Sequence, residues 1–252
     1  MQARRSLLLL AAALVVSTPT WATDLKVLTA GALKPLVTTL APEFERATGH
    51  RLLVEGNTAG ALARRVQAGE AFDIIIVTRD GIDQLARTGR LAADSAVPLA
   101  RIGIGMAVKS GQPMPDTRTL AGFRQALLNA RAVAYIDPAA GGSSGIYLAG
   151  LFEKMGIANE IGRNAVLVPG GLVAQRLVTG EADLAVQQMT ELLVVPGVTV
   201  LGPIPAEVQN FTVYVGAISS TARDITAAKD FLALLVGPAA QALWNDKGMQ
   251  AP

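Results

Sequence analysis

Short apolar runs alternate with amphipathic helical stretches along most of the chain, and no other feature constrains the fold as strongly. Residues 25–29 read as a strand. Residues 33–48 read as a helix, because Leu36, Val37, Leu40 and Phe44 share one face and Gly49 stops it. A strand at 51–55 and a helix at 59–68 follow. Residues 73–78 are almost wholly β-branched and apolar, as expected of a strand buried on both faces of a parallel sheet. A helix at 79–87 completes a βαβαβα series, which implies a doubly wound sheet. A second series runs through a helix at 120–128, a strand at 132–136, a helix at 143–155, a strand at 165–168, a helix at 172–179 and a strand at 183–186. An extended stretch at 211–218 and two helices, 227–235 and 239–246, end the chain.

The extended stretches 101–109 and 211–218 read as seams between the two blocks. If both cross one boundary, the chain leaves its first lobe and later returns to it. The expected architecture is therefore α/β, with two doubly wound lobes joined by two crossover strands. Lobe I takes 23–105 plus 215–252, lobe II takes 106–214, and the last helices pack on lobe I.

The first 22 residues read as a secretory signal peptide. Arg4 and Arg5 form a positive start, residues 7–16 are unbroken apolar, and Thr20 and Ala22 are the small residues of a cleavage site. A membrane span needs about 20 apolar residues, so an anchor fits this run poorly. The mature chain is expected in the periplasm. Cysteine is absent, which removes thiol chemistry and thiolate metal sites. Arg4 and Arg5 account for the whole formal charge of +2, and no Lys/Arg cluster appears, so a nucleic-acid face is not expected. No cofactor or metal is expected either: one histidine and no cysteine cannot build a zinc site of nitrogen and sulfur ligands. Asp73, Asp80 and Asp83 read as caps and solvated charges. His50 reads as a turn residue.

Ligands of open α/β sheets sit beyond the carboxyl ends of the strands. There the chain places Gly31 and Ala32, then Asn57, Thr58 and Ala59, then Arg79, then Ser143 and Ser144, then Gly170, then Gln187 and Gln188. These positions are rich in small and neutral polar residues, and several open directly into helices whose N-termini carry unpaired N–H donors. Any single loop of this kind serves equally well as a helix cap. The same chemistry at strand ends in both lobes points to a cleft that holds an anion. The stretch Gly141-Gly142-Ser143-Ser144-Gly145 matches the G-x-S-x-G of a nucleophile elbow, but four residues separate it from its strand and no histidine follows it. It reads as a donor loop.

Four segments, "LTAGALKPLV", "NTAGALARRVQAGEAFDIIIV", "GGSSGIYLAGLFEKMGI" and "RLVTGEADLAVQQ", resemble the periplasmic molybdate-binding proteins of ABC importers, which are type II periplasmic binding proteins. The resemblance spans nearly the whole mature chain. It implies two α/β lobes with two crossover strands, an oxyanion held by neutral donors, and docking of the closed form on an ABC permease in the inner membrane; the chain itself is expected to be a monomer. The chain departs from that pattern at Gly31, where the family has a serine, at the second loop, and at Gln187-Gln188, where it has a tyrosine. These changes, with Arg79, suit a small organic carboxylate.

The resulting expectation is a soluble receptor that captures a small anion, molybdate-like or a di- or tricarboxylate, between its lobes, and is not an enzyme. A carboxylate-converting enzyme, such as an isomerase or lyase, is the alternative on the same scaffold. It would need a positioned acid or base, for which the sequence offers Glu207 and Asp137 near the cleft. An orphan receptor that signals to a membrane partner is a further alternative.

Overall fold

The computed structural model describes residues 22–252, so the proposed leader at 1–22 lies almost entirely outside the described residues. The chain builds two sheets in succession. The first half supplies β1 (Asp24–Ala30), α1 (Lys34–Thr48), β2 (Arg51–Asn57), α2 (Ala59–Gln67), β3 (Ile74–Thr78), α3 (Arg79–Arg87) and β4 (Val97–Ile102). The chain then passes through Gly103 into β5 (Ile104–Lys109), α4 (Leu120–Asn129), β6 (Val133–Ile136), α5 (Ser143–Lys154), α6 (Ala158–Arg163), β7 (Ala165–Val168), α7 (Gln175–Val178), β8 (Leu184–Gln188), α8 (Met189–Leu192) and β9 (Val198–Pro203). It returns through β10 (Thr212–Ile218), α9 (Ile225–Val236), α10 (Pro238–Trp244) and β11 (Met249–Gln250).

The first sheet has the order β11-β4-β10-β3-β1-β2, and the second has the order β7-β6-β8-β5-β9. In each, the strands fed by helical crossovers pair in parallel (β1 with β2 and β3; β6 with β7 and β8). The strands that arrive from the other sheet pair antiparallel: β10 with β3 and β4, β5 with β8 and β9. This is the two-lobed α/β architecture the alternation implies. One apolar cluster, including Leu28, Ile75, Phe231 and Leu235, packs around the first sheet. Two clusters, one with Phe123 and Phe152 and one with Val173 and Leu177, pack about the second.

The crossings differ in detail from the expected seams. The stretch 101–109 is two strands in different sheets, broken at Gly103. The stretch 211–218 lies in the first sheet, and the second crossing comes before it, at 204–211, through a 3-10 turn at Ala206–Val208. A sequence run of apolar residues shows extended backbone but not which neighbour the backbone pairs with. Asp73 is a second departure. It is buried and accepts from the Lys26 N–H and from the backbone and guanidinium of Arg223, so it is neither a cap nor a solvated charge. His50 is also buried, stacked on Phe44 with Nδ1 accepting from the Thr23 N–H at 3.2 Å.

Candidate active site

The carboxyl ends of the parallel strands in both sheets face one cleft of about 330 Å³. From the first lobe, β1 runs out through Gly31 and Ala32 into a 3-10 turn, and α1 opens with Lys34. The end of β2 adds Asn57, and Thr58 caps α2, its hydroxyl oxygen accepting from the Ala61 N–H at 3.2 Å. From the second lobe come Ser143 and Ser144 at the start of α5, Gln188 at the end of β8, and Glu191 on α8. Tyr214 reaches in from β10.

The lobes touch at the cleft rim. The Gly60 N–H donates to the Gly141 carbonyl at 2.9 Å, and the Thr58 hydroxyl donates to the Ala140 carbonyl at 2.5 Å. A Cβ on Gly60 would lie 2.8 Å from Gly141 Cα, so this approach needs glycine.

A polar network crosses the cleft. Ser143 Oγ and the Tyr214 hydroxyl are 3.0 Å apart. Gln188 is satisfied at four points when its amide nitrogen donates to the Ile102 and Gly103 carbonyls and its oxygen accepts from Thr212 and Ser143, all at 3.1 Å. Ser144 is only 2 % exposed, lines the cleft, and its hydroxyl has no partner among the described residues. Its oxygen is not among the buried side-chain atoms left without a partner, so it meets the solvent of the cleft, where a ligand can replace water. The N-terminus of α5 has no side-chain cap, which leaves its first N–H groups directed the same way. Lys34 has no ion-pair partner among the described residues.

Glu191 differs from every other group in the cleft. It is 7 % exposed, and burial pushes its carboxyl up to about 8, against which a hydrogen bond from Gln187 pulls only partly. No cation pairs with it among the described residues. Tyr214 beside it is also raised, first by burial and further by the Glu191 charge, while its bond to Ser143 acts the other way. A desolvated carboxyl without a counter-charge is a group that takes and returns a proton near neutral pH. No group of three or more metal-ligating side chains forms among the described residues.

Of the residues singled out in sequence, the cleft gathers Gly31, Ala32, Asn57, Thr58, Ala59, Ser143 and Ser144. Three stand elsewhere. Gln187 alternates away from Gln188 along β8 and bonds the Val173 N–H and the Gly171 carbonyl, both at 2.8 Å. Gly170 yields its place on the wall to Gly171 and Leu172. Arg79 is exposed in a separate groove with Arg64, behind the rim contact. The two acids expected near the cleft do not line it: Asp137 caps a 3-10 turn through the Ala139 N–H, and Glu207 sits in the 3-10 turn of the second crossing. The sequence reading missed Glu191, Lys34 and Tyr214.

The model of the bacterial extracellular solute-binding proteins matches residues 25–250. The chain belongs to that family. Among solved structures, a periplasmic molybdate-binding protein from Azotobacter vinelandii superposes with a TM-score of 0.76 at 20 % identity, over 90 % of this chain and 99 % of that one. A sulfate-binding protein from Mycobacterium tuberculosis gives 0.71 at 16 %, over 90 % and 86 %. These establish that the chain has the fold of a molybdate-binding-like type II periplasmic binding protein.

One relative in sequence changes the functional reading. A Pseudomonas protein named aconitate isomerase is 35 % identical over 253 residues, covering 96 % of this chain and 95 % of that one. This relative is an enzyme, and it overturns the expectation that the chain is not one. That expectation rested on the lack of an acid or base in the strand-end loops. Glu191 lies beyond those loops, three residues after the last residue of β8.

Proposed function

We propose that this solute-binding-family protein isomerises a small unsaturated tricarboxylate of the aconitate class in the cleft between its lobes. The observation that carries the reading is Glu191, a buried carboxyl raised to about 8 on a wall that otherwise presents Lys34 and neutral donors. Its support in sequence is the isomerase relative, 35 % identical over nearly the full chain.

The chemistry suits such a group. In a propene tricarboxylate, the methylene hydrogen lies next to both a carboxyl group and the double bond. The Glu191 carboxylate removes that proton, and the electron pair spreads over the three-carbon unit and its carboxyl groups. The proton returns to the far carbon, the double bond moves by one position, and no co-reactant is consumed. A carboxyl raised to about 8 is a stronger base than an ordinary one and holds its proton long enough to return it. The substrate's negative charges need partners in the same space. Lys34, the Ser144 hydroxyl and the N-termini of α2 and α5 supply them from both lobes, so binding favours closure.

The test is to add cis- and trans-aconitate separately to the purified protein and follow the vinyl protons by NMR. Each isomer is expected to convert to the same mixture with wild-type protein and to persist with Glu191→Gln. Tight binding of either isomer without interconversion would overturn the reading. The proposed setting is the periplasm, reached through the leader at 1–22. Delivery of a bound anion to an ABC permease is a further role that the fold supports.

A further inference from the structure

We propose that Gly31 is a positioning residue for Glu191: the side chain missing at the end of β1 is the space that the Glu191 carboxyl occupies. Whether this cleft carries a proton-transferring carboxyl is then set by what stands at position 31. The inference rests on the acid–base reading of Glu191 and extends it to a residue of the opposite lobe.

Two observations on Gly31 carry it. Its backbone is not among the glycines with positive φ, so the local conformation does not require glycine. A Cβ built there would meet only two atoms within 4 Å, and both belong to Glu191: Oε1, inside hard contact, and Cδ at 3.4 Å. Apart from Ala30 and Ala32 beside it in the chain, such a side chain would thus meet the far end of one other side chain. Gly31 has a glycine's place for one partner, in contrast to Gly60, which is held against backbone.

The surroundings leave the carboxyl few other positions. α8 packs against the turn at Gly31–Leu33, β5, β8 and β9. The only titratable group on those elements is Lys109, which donates to the Val178 carbonyl. The groups that share the cleft with Glu191 are Tyr214 from β10 and Lys34 from α1. A methyl group at position 31 would drive the carboxyl off its seat toward the open part of the cleft and toward these two. Its distance to the substrate carbon and its solvation would both change.

The experiment compares wild type, Gly31→Ala, and Gly150→Ala as a control whose Cβ meets nothing within 4 Å. Gly31→Ala is expected to melt close to wild type and to lose about 100-fold in kcat, as a misplacement of about 1 Å does. Its pH–rate limb should move toward the ordinary carboxylate range, whereas the control keeps both. An unchanged kcat and limb would overturn the proposal. So would an unfolded Gly31→Ala beside a folded control, because the methyl group would then have met more than a side-chain end. A second readout needs no turnover: the infrared band of the protonated carboxyl, titrated in the ligand-free protein and assigned by its loss in Glu191→Gln. Gly31→Ala should shift that titration to lower pH, and an identical titration would overturn the pairing. If wild type converts neither isomer of aconitate, the functional reading falls, and this titration alone decides the Gly31 proposal.

Discussion

Two buried carboxyls, Asp73 and Glu191, occupy opposite ends of the strands and meet opposite fates. Asp73 is 2 % exposed and stands just ahead of β3. It accepts from the Lys26 N–H at 2.7 Å, the Arg223 N–H at 2.9 Å and Arg223 Nη2 at 2.6 Å. Burial pushes its carboxyl up, but Arg223 and the two backbone donors together outweigh that and hold it below the usual range. Glu191, at the carboxyl ends of the strands, is also buried but has no cation, and only the nearby Gln187 amide opposes the effect of burial. Burial alone therefore does not set the state of a carboxyl. The partners decide, and a group left without them is free for chemistry.

The widest split between the two is in turnover. Glu191→Gln should lower kcat for aconitate by about 10²–10⁴, the usual contribution of a positioned general base. Asp73→Asn should leave kcat unchanged per folded molecule, and an equal loss in both would break the distinction. Stability should split the other way. Asp73→Asn is expected to cost about 2–3 kcal/mol in urea unfolding, from weakened hydrogen bonds to a charged acceptor. Glu191→Gln, which exchanges a strained acid for a neutral amide, should cost less than that.

The pH dependence of stability sharpens the contrast, because the signs are opposite. Asp73 is lowered when folded, so its contribution is present above the ordinary aspartate value of 3.8 and is lost as pH falls through the folded value. Glu191 is raised from 4.5 to about 8, so the folded state binds a proton there that the unfolded state does not. Stability should thus decline as pH rises from 4.5 toward 8, by at most about 1.4 kcal/mol per unit. Melting curves across that window should show the decline in wild type and not in Glu191→Gln. The smallest effect expected is that of Ser144→Ala. Losing one hydrogen bond to a charged ligand should weaken aconitate binding by about tenfold in calorimetry, without changing the pH slope.

Much of the fold was legible because periodicity reports burial directly. The spacing of Leu36, Val37, Leu40 and Phe44 placed α1 within one residue of its observed start, and Gly49 marks its end with φ +76°. The run Ile74–Thr78 is buried in the centre of its sheet, as its composition implies. The neutral half of the site was legible for the same reason, since Asn57, Ser143 and Ser144 directly follow strands or open helices. Gln187 and Gln188 were less so: alternation along β8 shows that they face opposite ways, but not which one faces the cleft. α8 is four residues long, too short to show a period, so nothing local marks Glu191 as buried. Lys34 looks like any lysine in a helical first turn, and Arg79 follows its strand as a cleft residue would, yet it faces outward.

The sequence by itself determined the alternating strands and helices of each parallel core, the two α/β lobes, and the neutral donors at their strand ends, because each of these follows from contacts close along the chain, whereas the short elements at 158–163, 189–192, 198–203 and 249–250 left no readable period. The tertiary structure alone decided that a glutamate of one lobe rests against a glycine of the other, largely removed from water and paired with no cation among the described residues. That is a matter of which groups are excluded from a shared space, and residues 160 positions apart carry no trace of it in their spacing.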